Sequence, residues 1–182
     1  MLDKIILGVL SLKDLTSYDL KKSLDKSINH FYTTSYGSLH PALVKLEKNK
    51  LVTSREFVEG GRSKKLYSIT ESGRQDFTNW LSSDIQISRL KEDSLVRIFF
   101  FGMLEPEERQ NIISTYLQSI DTAMNELLAL REDIQQVNVS PDFQDIARYQ
   151  IETLNYGIDH SHFLSDWFND FLVNRTKKET EK

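Results

Sequence analysis

The sequence predicts a mainly α-helical chain with one small β-hairpin, short elements in its first half and long helices in its second. Three observations predict this. Apolar residues recur at helical spacing through most of the 182 residues. One segment alternates instead, around Glu59-Gly60-Gly61-Arg62, with bulky Phe57, Tyr67 and Ile69 on its arms; a glycine pair suits a hairpin turn. Charge also divides unevenly. Residues 1–82 hold 13 Lys and Arg against 9 Asp and Glu, whereas residues 83–182 hold 10 against 18. Only the first half suits a polyanion.

Ile5, Ile6, Val9, Leu10 and Leu12 predict a first helix, apolar around much of its girth and therefore buried. "KDLTSYDL" interrupts it. Thr16 is placed to cap a second helix, with Asp19 three residues on as an imperfect capping box, and Leu20, Leu24 and Ile28 carry that helix from about 17 to 28. "NHFYTT" connects to a third helix that starts near Thr34 or Ser35, both good caps, and buries Leu39, Leu43 and Leu46. It ends around Asn49, a residue tolerant of the left-handed conformation. The hairpin follows. Thr70 caps a fourth helix containing Phe77, Trp80 and Leu81, and "SSDIQIS" reads as a linker.

The second half is broken only at Pro106 and Pro141. "EPEERQ" puts proline and acids at a helix start, where a missing N–H costs nothing and the dipole favours carboxylates. That helix is expected to reach about Val137. "SPDFQD" repeats the signal for a last helix from about Pro141 to Arg175, before the polar tail "TKKETEK". Helices of roughly 30 residues are far longer than the usual 11–12. Their apolar stripes (Ile113, Leu117, Ile120, Met124 and Leu127; Ile151, Leu154, Ile158 and Phe168) predict pairing with a second subunit. The expected division is a first domain over 1–82, a linker over 83–93, a helical domain over 94–176 that pairs subunits, and a polar tail over 177–182.

Hydrophobic content of 39% and charged content of 27% fit a soluble globular chain. No signal-peptide pattern opens it, and the longest apolar run, "VRIFFFGML", falls well short of a membrane span. With no cysteine, disulfides and thiolate metal sites are excluded, and a cytoplasmic location is expected. His160 and His162 diverge by about 200° on a helix, so they do not share a metal; His162 and Asp166 alone make a poor site. There is no phosphate loop, serine elbow or His/Cys constellation. Neither a cofactor nor an enzymatic activity is expected.

Three short helices followed by a two-stranded ribbon is the order of a winged helix-turn-helix. Its third helix fits the DNA major groove and presents its N-terminal residues to base edges. Turning 100° per residue from Leu39 places Thr34, Gly37, Pro41, Lys45 and Lys48 opposite the buried stripe, with Ser38 and His40 on its flanks. The candidate DNA contacts are therefore Thr34, Ser35, Tyr36, Ser38, His40 and Lys45. The hairpin turn adds Arg62, Lys64 and Lys65 for phosphates or a minor groove.

At this point a resemblance becomes specific. "SYDL" at 17–20, "HPALVKLE" at 40–47 and "SKKLYSITESGR" at 63–74 resemble the motifs of the PadR family of bacterial transcriptional regulators. Tyr67, Ile69, Thr70 and Gly73 stand where the family pattern has them. Ser17 replaces a usual glycine and His40 a usual tyrosine, so operator preference does not carry over. "EDSLVRIFFFGML" at 92–104 is similar to the opening of the C-terminal region in the larger subfamily, which dimerises through long helices. The resemblance implies a homodimer on double-stranded operator DNA, with the first helix joining the interface. It also implies an aromatic effector between subunits, for which Trp80, Phe100, Tyr116 and Tyr156 are the candidates. The function expected is a repressor that binds a palindromic operator and is relieved by a small molecule. The alternatives are an activator of the same build and a helical binding dimer whose winged helix does not read DNA.

Overall fold

The computed structural model describes residues 1–28, 31–32, 35–85 and 92–175. It comprises two compact units, Met1–Ser88 and Arg89–Lys182. Thr34, most of the expected linker and the tail over 177–182 lie outside the described residues.

The first unit runs α1 (Leu2–Leu10), β1 (Leu15–Thr16), α2 (Ser17–Asp25), α3 (Tyr36–Lys48), β2 (Val52–Glu59), β3 (Arg62–Ile69) and α4 (Glu71–Leu81). The fold class matches the expectation: a winged helix followed by long helices. Ile6, Leu7, Leu20, Leu24, Leu39, Leu43, Leu46 and Val52 make one core, each at most 2% exposed. α1 stops short of Leu12. The Ser11 hydroxyl takes the Leu7 carbonyl at 2.8 Å, and Leu12 is left 39% exposed. Thr16 caps α2 as expected, accepting from the Asp19 N–H at 3.1 Å while its hydroxyl donates to Asp19 Oδ2 at 2.6 Å. α2 ends at Asp25, three residues before Ile28.

The sheet has three strands, in order β1-β3-β2, and both pairings are antiparallel. Only two were expected. Leu15 and Thr16 pair with Tyr67 and Leu66, a contact too short to leave an alternating pattern in the sequence. Burial, and then the nearby Glu47 carboxylate, raises the phenol of Tyr67 above its ordinary value.

The left-handed residue after α3 is Lys50, with φ +59°, rather than Asn49, whose φ is −83°. Leu51 N–H reaches Leu46 O at 3.0 Å and Lys50 N–H reaches Glu47 O at 2.9 Å, the two bonds of a Schellman motif. The start of α4 closes on this corner. Thr70 and Ser72 hydroxyls donate to Lys50 O, and Thr70 N–H donates to Leu51 O. Gly73 is the tightest point: a Cβ there would stand 2.1 Å from Leu51 O and 2.8 Å from Ile69 Cγ1. That carbonyl is already hydrogen-bonded backbone and has little room to retreat. Gly73→Ala is expected to cost about 3 kcal/mol in urea unfolding, the upper part of the usual overpacking range. An unchanged midpoint would mean that the corner is looser than this geometry.

The second unit holds α5 (Asp93–Phe99), a 3-10 turn (Phe101–Met103), α6 (Pro106–Gln135), a second 3-10 turn (Pro141–Phe143), α7 (Gln144–Asp170) and a π turn (Phe171–Arg175). Pro106 opens α6, and Glu105 and Glu108 complete a capping box. α6, with 30 residues, and α7, with 27, pack as an antiparallel hairpin. Ile113 and Ile120 meet Phe101 and Phe168 at one end, and Leu127 meets Leu154 and Ile158 further along. The last helix was expected to run regularly to Arg175. It widens after Asp170, where the Phe171 ring stacks on Trp167 at 5.5 Å. No described helix is long and apolar enough to cross a membrane.

Candidate nucleic-acid interface

α3 is anchored on one side and free on the other. Leu39, Ala42, Leu43 and Leu46 are buried, whereas Gly37, Ser38, His40, Pro41, Lys45 and Lys48 are exposed. The polar face is thus the one expected from helical spacing. Ser35 caps the helix by accepting from the Ser38 N–H at 3.2 Å, and the Ser38 hydroxyl donates to Ser35 O at 2.8 Å. Pro41 sits six residues into the helix without ending it, since it forfeits only the bond to Gly37 O near the first turn. Of Tyr36 only the backbone is described, as the first residue of the helix.

The charge on this face is less free than the sequence suggests. Lys45 Nζ lies 2.6 Å from Asp3 Oδ2 at the start of α1. Asp3 is 42 positions away, and no local pattern foretells the contact. An exposed pair of this kind is worth little in stability, so DNA phosphate can compete for the lysine.

The wing tip is a two-residue turn of Gly60 and Gly61, with φ +57° and +75°, closed by Glu59 opposite Arg62. Both positions need positive φ, which is why glycine serves here. Lys64 and Lys65 do not lie on the bend, where the sequence reading put them, but within β3. Lys64 stands opposite Phe57 and Lys65 opposite Glu56. Neighbouring strand residues point to opposite faces, so the two lysines cannot both face one duplex squarely. Lys65 shares its face with buried Tyr67; Lys64 lies on the other and reaches Glu59 at 2.5 Å. Only the backbone of Arg62 is described.

The aromatic candidates of the second unit do not line one common cavity. Trp80 is in α4 of the first unit, 37% exposed and beside Phe77. Tyr116 lines an open cavity of about 620 Å³ in the second unit, Phe100 lines a neighbouring one of about 360 Å³, and Tyr156, in the lining of neither, stacks on His160.

Residues 6–79 match the transcriptional regulator PadR-like family, and residues 90–173 match the virulence activator alpha C-terminal family. The chain belongs to the PadR-like family. Its members are transcriptional regulators. The negative transcriptional regulator PadR of Bacillus subtilis is 26% identical over 124 residues, 67% of this chain and 68% of that one. The transcriptional regulator YqjI of Escherichia coli is 28% identical over 67% of this chain but only 56% of its own length. Bacillus subtilis PadR in complex with operator DNA superposes with a TM-score of 0.82 at 22% identity, covering 94% of this chain and 97% of that one. The same protein with p-coumaric acid gives 0.77 at 22%, covering 94% and 96%. The protein smu.1604c of Streptococcus mutans gives 0.75 at 27%, covering 94% and 98%.

Proposed function

We propose that this PadR-like regulator binds a palindromic operator as a homodimer and represses transcription there, with release by a small-molecule effector. The observation that carries DNA binding is α3: a helix held to the core by three leucines with its opposite face small, polar and cationic. The operator complex of Bacillus subtilis PadR supports the same use of the fold, and its p-coumaric acid complex supports an effector. DNA binding is assigned to residues 1–82, the link to 83–93 and dimerisation to 94–176.

Dimerisation is supported by the outer face of α7. Tyr149, Tyr156 and Phe163 recur every seven residues at 61%, 69% and 61% exposure, with Ile146 at the preceding seam position. One helix presenting this seam to its own copy makes a self-complementary two-fold contact. Light scattering at micromolar concentration is expected to give about twice the 21.2 kDa chain mass, and Tyr156→Glu with Phe163→Glu is expected to return a monomer. A wild-type monomer that binds DNA with undiminished affinity would overturn the dimer. Anisotropy with duplexes from beside the protein's own gene, against scrambled duplexes, tests the operator reading; equal affinities would overturn it.

A second reading, activation, is favoured by the virulence activator family matched over residues 90–173. Transcription in vitro with and without the protein separates the two by sign.

A further inference from the structure

The outermost side of α3 carries apolar side chains. Val44 is 49% exposed, although it shares the helix with four buried apolar residues, Leu39, Ala42, Leu43 and Leu46. Turning about 100° per residue, the direction opposite to those four runs between Pro41 and Val44. Both are exposed, and neither side chain carries a hydrogen-bond donor or acceptor. Pro41 also lacks a backbone N–H. Ser38 and His40, which can hydrogen-bond, lie to the two sides of this direction. Gly37, one turn before Pro41, is exposed as well and adds no side chain.

In a major groove, the side of a helix farthest from its own core points at the groove floor, and its flanks point towards the two phosphate backbones. The floor presents mostly polar edges: N7 and O6 of guanine, N7 and N6 of adenine, N4 of cytosine and O4 of thymine. A proline or valine pressed on any of these displaces water and returns no hydrogen bond, which weakens binding. One group on the floor differs from the rest. The 5-methyl of thymine is hydrocarbon, and an apolar side chain gains by covering it. Gly37 lets the helix backbone come close enough for that contact.

We infer that Pro41 and Val44 read thymine in the operator through its 5-methyl group, and so determine specificity at an A·T pair in each half-site. The inference deepens the operator reading above, on which it rests. It adds two residues that offer no hydrogen bond to two, Ser38 and His40, that do. The outward face of α3 then discriminates by apolar contact at its centre and by hydrogen bonding at its sides.

The test uses the full-length protein and the tightest-binding duplex from beside its own gene, prepared in two forms: natural, and with every thymine replaced by deoxyuridine. The replacement removes the methyl and leaves base pairing in place. Anisotropy is expected to show binding to the deoxyuridine form weaker by about tenfold or more, since a buried methyl is worth about fourfold and a palindrome offers one to each subunit. A scrambled duplex treated in the same way is expected to change by less than about twofold, because its contacts are to phosphates. Val44→Ala and Pro41→Ala are expected to melt close to wild type or above, both positions being exposed. At least one of them is expected to reduce the methyl penalty to about threefold, the coupling shown by groups in contact. Equal binding of the wild type to the natural and deoxyuridine forms overturns the inference. So does a full penalty retained in both variants. Equal affinity for the natural duplex and its scrambled form is a different failure: it removes the operator reading and this inference with it. A preference for the natural sequence that survives loss of the methyls removes this inference alone.

Discussion

Leu43→Ala is expected to lower the unfolding free energy by about 2–5 kcal/mol, while Ser38→Ala and His40→Ala stay within about 0.5 kcal/mol of wild type. Leu43 is fully buried at the centre of the first unit's core, among Leu20, Leu24 and Leu39. Truncation removes three carbons that touch several elements and leaves a cavity that the surrounding helices can only partly close. Ser38 and His40 lie on the same helix but face outward. The cap of α3 is the Ser35 side chain, so removing the Ser38 hydroxyl leaves it in place. Operator discrimination is expected to respond in the opposite order. The two surface variants change the ratio of operator to random-duplex affinity by about 1–3 kcal/mol if each touches a base edge, and Leu43→Ala changes it little while folded. Urea unfolding and anisotropy on the three variants check both halves. Unfolding of the Ser38 and His40 variants, with Leu43→Ala intact, would reverse the assignment of faces.

In the wing, replacing Lys64 and Lys65 together by alanine is expected to reduce the slope of log affinity against log salt by about 1.8. Each phosphate contact contributes about 0.9 to that slope through counterion release. Were both lysines on the bend, a dimer would lose four contacts. Their places in β3, opposite Phe57 and Glu56, put them on opposite faces of the ribbon, so one lysine per wing can follow a given backbone and the dimer loses two. The single variants are expected to divide unequally, one carrying nearly the whole decrease and the other almost none. The loss is expected on operator and random duplex alike, because phosphate contacts position the protein without specifying sequence. Affinities of the double and single variants across a salt series test this. Equal contributions from the two lysines would contradict the strand geometry, and an unchanged slope in the double variant would place both in solvent.

Much of the fold could be read without coordinates because its signals are local. Helical spacing marked the leucine stripe of α3, a glycine pair with positive φ marked the wing turn, and Thr16, Thr70 and Pro106 marked helix starts through groups one turn away. The same locality explains the misses. Strand β1 is two residues long, so its pairing with Tyr67 and Leu66 leaves no pattern. The left-handed turn at Lys50 rather than Asn49 is braced by the hydroxyls of Thr70 and Ser72, 20 and 22 residues on.

The sequence by itself determined the α/β order of the first unit, the two long helices of the second, and which face of α3 is polar. Those properties follow from periodicity and capping, which act within one or two turns. Only the tertiary structure decided that Asp3 holds Lys45, that Lys64 and Lys65 diverge, and that Tyr116 lines a cavity with Phe101 and Phe168. Each of these is a meeting of side chains, or a parting of them, set by how elements pack and pair. Packing brings together residues whose separation along the chain carries no trace of the contact.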